Sequence, residues 1–171
     1  MPPDASPANK VDLSISWLGQ AVSWCVPVMA LLVLGIVVLR YGFNTGAIAA
    51  QESVQYLHAT LFMLGAAVTL GANQHVRVDI FYRRFTPRQQ AWVNAVGHII
   101  FTLPLCGLIG LGSWDYVADS WSAREASPEP GGLPLVFLLK TLIPAMALLL
   151  ALQALSVIHQ SLELLRRRKP D

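Results

Sequence analysis

Four long apolar runs, separated by polar turns, constrain this chain more than any other feature. They extend over Leu18–Leu39, Ser53–Ala72, Ala91–Ser113 and Leu133–Ile158, and Lys140 is the one charged residue they contain. A helix crossing the hydrocarbon needs about 20 mostly apolar residues, and each run meets that length. Backbone polar groups in lipid must be satisfied within the segment, which selects helix. A β-barrel would need many short alternating strands instead. Charged residues make up 13% of the 171 residues, against about 25% in a soluble domain. That is too little to coat a soluble surface. The expected fold is an all-α integral membrane protein of one domain. Its helices are placed at about 18–39, 50–72, 89–114 and 133–158, after a cytoplasmic tail at 1–16 and before a basic cytoplasmic tail at 159–171.

The basic residues set the orientation. Lys10, Arg77, Arg83, Arg84, Arg88, Arg166, Arg167, Arg168 and Lys169 fall in alternate polar segments, while the other side has Arg40 and Arg124. Cytoplasmic segments carry the excess of Lys and Arg. Both termini and the loop between spans two and three are therefore expected on the cytoplasmic side. The N-terminal M-P-P-D-A-S-P-A-N-K lacks a basic region directly before its apolar core, so span one is expected to be retained. The small net charge of +2, with bases clustered beside apolar runs, argues against nucleic acid. Arg166 to Lys169 suit contacts with anionic phospholipid.

Topology does not explain the whole of H-V-R-V-D-I-F-Y-R-R-F, His75 to Phe85. Val78, Phe81, Tyr82 and Phe85 recur at helical spacing, and Asp79 and Arg83 are four apart. The stretch reads as a short amphipathic helix at the cytoplasmic interface. Thr86, Pro87 and Gln89 then read as N-cap, first helical residue and reciprocal capping partner of span three. Pro27, Pro104 and Pro144 fall within spans and predict kinks. Cys25 and Cys106 lie in apolar stretches, where a disulfide framework is not indicated.

Few groups are placed to do chemistry. Glu52 and Lys140 both lie toward the outer side, and a pair between them is geometrically open. His58 and His98 raise a haem reading, but their depths differ by roughly 10 Å at 1.5 Å per residue. His75 and His159 lie near the inner surface without metal-ligand spacing. Phosphate-loop, G-x-S-x-G and H-E-x-x-H motifs are absent, so an enzyme is not expected, nor any cofactor beyond lipid. Gln20, Ser23, Thr69, Asn94 and Thr102 are scattered and do not converge at one depth. Carriers gather midplane polar groups around broken helices, so an accessory subunit of something larger fits better. The acidic, aromatic outer loop from Trp114 to Gly132 reads as an interfacial belt or as a docking edge for a periplasmic partner.

Three landmarks together carry a resemblance: Gln51-Glu52 at the start of span two, H-V-R-V-D-I at His75 to Ile80, and Lys140 four residues before Pro144. They resemble the small permease subunit of tripartite ATP-independent periplasmic (TRAP) transporters, the DctQ-like or Q subunit. The similarity covers all four spans. It implies a four-helix subunit that braces the scaffold of a much larger elevator-type (M-type) permease. A periplasmic substrate-binding (P-type) protein would deliver an organic acid to that pair, and an ion gradient, usually sodium, would drive import. On this resemblance Glu52, His75, Arg77 and Asp79 match family positions, and with Lys140 they are expected to be structural or partner-interface residues. The alternatives are a haem- or quinone-binding respiratory anchor, and a self-contained small carrier or channel.

Overall fold

The computed structural model describes residues 10–72, 82 and 84–167. Among them the chain is helical, without strands, and four helical stretches are long and apolar enough to cross a membrane. The first comprises α1 (Lys10–Ser23) and α2 (Cys25–Phe43). Pro27 separates them. It has no N–H to give the carbonyl of Ser23, and the ladder loosens there. The Val28 N–H reaches Trp24 O at 3.4 Å and Trp24 N–H reaches Ala21 O at 3.3 Å. Helix α2 ends where Asn44 adopts the left-handed conformation at φ 51°, one of the few non-glycine residues that enter it readily.

Span two is α3 (Ile48–Gly71). Span three contains α4 (Pro87–Gly97), a π-helical turn at His98–Thr102, α5 (Leu103–Gly112) and α6 (Trp114–Ser122). Its start carries the expected capping box. The Gln89 N–H donates to Thr86 Oγ1 at 3.4 Å, and the Thr86 N–H donates to Gln89 Oε1 at 2.9 Å. The π turn precedes Pro104, and there Leu103 N–H bonds His98 O, five residues back. The widened turn accommodates a proline that lacks the donor its own position requires. Span four is α7 (Val136–Arg167), a continuous helix through Pro144. The expected kinks thus take the form of a break at Trp24 and a π turn before Pro104, while α7 is not interrupted.

Three helical stretches outrun the apolar runs. Helix α1 starts at Lys10, inside the segment expected as a tail, α6 carries span three to Ser122, and α7 extends to Arg167. Hydropathy marks only the part of a helix within hydrocarbon. Backbone hydrogen bonding continues into the interface wherever an amphipathic face still has something to cover.

Helix α7 is the hub, packing against α3, α4 and α5 along its length and against α1 and α6 at its ends. Ala147, Ala154, Ile158 and Ser161 are buried on it at heptad-like spacing. Ala67 and Leu70 of α3, Ala91 and Ala95 of α4 and Cys106 of α5 are buried too, on helices that pack against α7. Small residues at the seams let backbones approach closely, as membrane packing requires. Large apolar side chains point outward instead, among them Leu31, Phe62, Phe101, Leu108 and Leu111. This inverts a soluble fold and suits a bundle solvated by lipid.

Gly71 shows how tight the seams are. A Cβ there would fall 2.8 Å from Gln153 Nε2 and 3.0 Å from its Cδ. Gln153 is 1% exposed and has nowhere to retreat. Gly71→Ala should destabilise the bundle by about 1–3 kcal/mol, read as a lower melting temperature in detergent. Gly107→Ala, where a Cβ meets nothing within 4 Å, should leave it unchanged.

Candidate functional site

Polar side chains gather at the two ends of the bundle. At one end, the loop from Ala123 to Leu135 is strapped down on both sides. Glu52, in the first turns of α3, accepts the Ser127 hydroxyl on Oε1 and the Leu133 N–H on Oε2, the latter at 2.6 Å. The loop closes on itself through Ser127 N–H to Leu133 O at 3.1 Å and Gly132 N–H to Glu129 O at 2.9 Å. Glycine is required at 132, because a Cβ would sit 2.5 Å from Ser127 Oγ and 2.7 Å from Glu52 Oε1. Gly131 takes the turn at φ 81°, a backbone region that favours glycine.

The second strap runs to α7. Lys140 Nζ pairs with Glu125 Oε2, which also accepts the Ser120 hydroxyl at 2.6 Å. The ammonium stands 3.9 Å from the centre of the Tyr116 ring, a cation–π contact. The hydrogen bond from Lys140, and after it that from Ser120, holds the Glu125 carboxyl below the usual carboxylate range. Trp121 adds a third tie, donating Nε1–H to Thr141 Oγ1 at 2.8 Å and packing edge-on against Phe137. The open Glu52–Lys140 pair is therefore not formed. Each residue instead anchors one side of the same loop.

A Schellman turn joins α6 to this loop. Glu125 N–H bonds Ser120 O at 3.0 Å and Arg124 N–H bonds Trp121 O at 3.2 Å, with Arg124 at φ 47°. The turn delivers Glu125 back toward α7 and leaves the Arg124 side chain exposed.

At the opposite end a different cluster ties α1 to α7. Asp12 Oδ1 accepts Gln153 Nε2–H and Ser156 Oγ–H, each at 2.9 Å, and its Oδ2 accepts Gln160 Nε2–H at 2.6 Å. Gln153 and Ser156 are buried. This node escaped sequence reasoning, which placed Asp12 in a tail. The available signal was the spacing of Gln153, Ser156 and Gln160, which puts three polar residues on one face of an apolar helix.

Arg84, Arg88 and Arg166 are exposed, as suits charges at an interface. His75, Arg77, Asp79, Arg83, Arg168 and Lys169 lie outside the described residues, as does the Arg167 side chain, and with them most of the expected amphipathic helix. Tyr82 is described. Its hydroxyl bonds the Asn94 amide of α4 at 2.9 Å, and Gln90 Nε2 donates to its carbonyl oxygen at 3.1 Å. The haem reading gains nothing. His98 is buried with Nδ1 3.0 Å from Thr102 Oγ1, whereas His58 is exposed on α3. Among the described residues no three His, Cys, Asp or Glu side chains cluster as a metal site would require. Chemically, the two clusters fix helices and present a shaped loop between α6 and α7.

A family model described as "Tripartite ATP-independent periplasmic transporters, DctQ component" matches residues 29–164. A Haemophilus influenzae protein described as a TRAP transporter small permease is 36% identical over 93 residues, 53% of this chain and 57% of that protein. The C4-dicarboxylate TRAP transporter small permease protein DctQ of Vibrio cholerae is 24% identical over 114 residues, 64% of this chain and 49% of its own length. The chain thus spans about half the length of these relatives. No solved structure matches it significantly.

The Glu125 tie should respond to pH with a definite sign. A lowered carboxylate pKa contributes stability above the ordinary glutamate value, about 4.3, and loses it as pH falls through the lowered value. Trp121 fluorescence in detergent should shift in that acid range, and the shift should be absent from Glu125→Gln. Gly132→Ala should loosen the Glu52 strap at neutral pH, seen as faster amide exchange over residues 127–133.

Proposed function

The chain belongs to the DctQ component family of TRAP transporters, and from that premise we propose that it is the small permease subunit of such a transporter. The family is a transporter component and not an enzyme. On this reading the chain lies in the bacterial inner membrane with both termini in the cytoplasm, as its nine alternately placed bases favour. It braces a large permease subunit that imports an organic acid, delivered by a periplasmic binding protein and driven by a sodium gradient. A carboxylate substrate is supported by the Vibrio cholerae relative's name.

One observation carries the reading beyond the family match. Three of the described charged groups in the bundle hold helices and the outer loop together. Glu52, Lys140 and Asp12 each have intramolecular partners at an end of the bundle. The seams between these ends are lined by alanine. A subunit so built supplies rigid scaffold, and the transport site belongs to its partner.

Purification of the tagged chain from its native membrane in mild detergent tests this. A multi-span permease should be recovered in near-equal amount, and deleting the chain should abolish uptake of the carboxylate. Recovery of a soluble flavin or iron–sulfur subunit in its place would refute the reading.

A further inference from the structure

Helix α3 has one face that lipid cannot satisfy. Gln51, Gln55, His58 and Phe62 are all exposed, and their spacing continues to Gly65. Steps of four, three, four and three residues keep them on one stripe, the alternation of a helix–helix seam. Gln55 and His58 lie seven and ten residues into α3, or about 10 and 15 Å along its axis. Glu52, close to the outer loop, marks the interface level. His58 is six residues deeper and too short to return its ring to water. Within the chain no side-chain hydrogen bond is found for Gln51, Gln55 or His58 among the described residues.

The remaining outward surface of the spans is mostly different. Leu31, Leu34 and Val38 on α2, and Leu105, Leu108 and Leu111 on α5, are exposed and apolar. Those faces suit acyl chains. A row holding the Gln55 amide and the His58 imidazole does not, because lipid tails offer no hydrogen-bond partner and polar side chains at that depth turn toward protein. Gln20 on α1 is another exposed intramembrane amide, but its neighbours Ser16 and Ser23 are satisfied by their own helix.

We propose that this stripe of α3 is the seam on which a transmembrane helix of the large permease packs, so the inference rests on the subunit reading. The partner helix presents hydroxyl, amide or carbonyl groups opposite Gln55 and His58 in the outer half of the membrane. It places a small residue opposite Phe62. At Gly65 a Cβ would meet nothing within 4 Å, and the two backbones approach closely there.

A benzophenone amino acid placed at position 55, 58 or 62 of the full chain, in membranes that also contain its permease, tests the seam. Position 108 on α5 is the lipid-facing control. Illumination should link positions 55, 58 and 62 to the permease, identified by mass spectrometry, and position 108 to lipid alone. His58→Ala should weaken recovery of the permease by about three- to tenfold, the effect of one lost interhelical hydrogen bond, while leaving the chain's own melting temperature unchanged. If the permease co-purifies but position 58 links only to lipid, the seam is wrong and the subunit reading stands. Linkage of position 58 to a second copy of this chain would also overturn the assignment, in favour of a homodimer. If no permease co-purifies at all, the subunit reading itself fails.

Discussion

The carboxylate of Asp12 holds three α7 side chains at the end of the bundle where α1 begins. In lipid, apolar helices gain little from meeting one another, since a neighbour's leucine is no better than an acyl tail. Contact area alone does not fix which turn of α1 faces which turn of α7. Charge-assisted hydrogen bonds do, because they are short, directional and costly to leave unmade. Gln153 and Ser156 locate α1 to within a turn, and Gly71 of α3 provides the hollow in which Gln153 lies flat. Three helices are thereby registered at a single point. The alanine seams along α7 then close on a geometry already defined.

The strap at the other end solves a different problem. A loop of thirteen residues between α6 and α7 has a large ordering cost and contains Pro128 and Pro130, which cannot donate backbone hydrogen bonds. Glu52 and Lys140 hold it from two separate helices, so the loop's shape follows the spacing of α3 and α7. Perturbed carboxylates in a cleft are often candidates for catalysis. Here each has a structural duty that accounts for its surroundings.

Much of this was legible in the residues, for definite physical reasons. Hydrocarbon imposes a length and a composition, so the four spans could be read directly. Thr86, Pro87 and Gln89 specified a capping box through local backbone chemistry, and it formed. Glu52 and Lys140 stood out as charges in oil. Their mutual pairing did not follow, because Glu125 and Ser127 come from a loop whose fold no periodicity encodes. Asp12 was hidden for a related reason. It lies before the first apolar run, and only the return of α7 beside α1 gives it partners. Helix ends were misjudged wherever an amphipathic turn outlasted the hydrocarbon. The seam on α3 was present in sequence as Gln51, Gln55 and His58, but its meaning depended on knowing that the other helices leave it uncovered.

The break at Trp24 has a consequence for the membrane itself. Span one runs from Val11 to Phe43, 33 residues, or about 50 Å of helix against a hydrocarbon thickness of about 30 Å. A straight rod of that length would have to lean steeply or protrude. Here α1 is pinned by Asp12, whereas α2 has no buried residue. The two halves are joined where the hydrogen-bond ladder is already slack. Helix α2 packs against α3, so its direction is set by that neighbour and not by a continuation of α1. Span one thus distributes its surplus length over two helices joined at Trp24, each following a different part of the bundle.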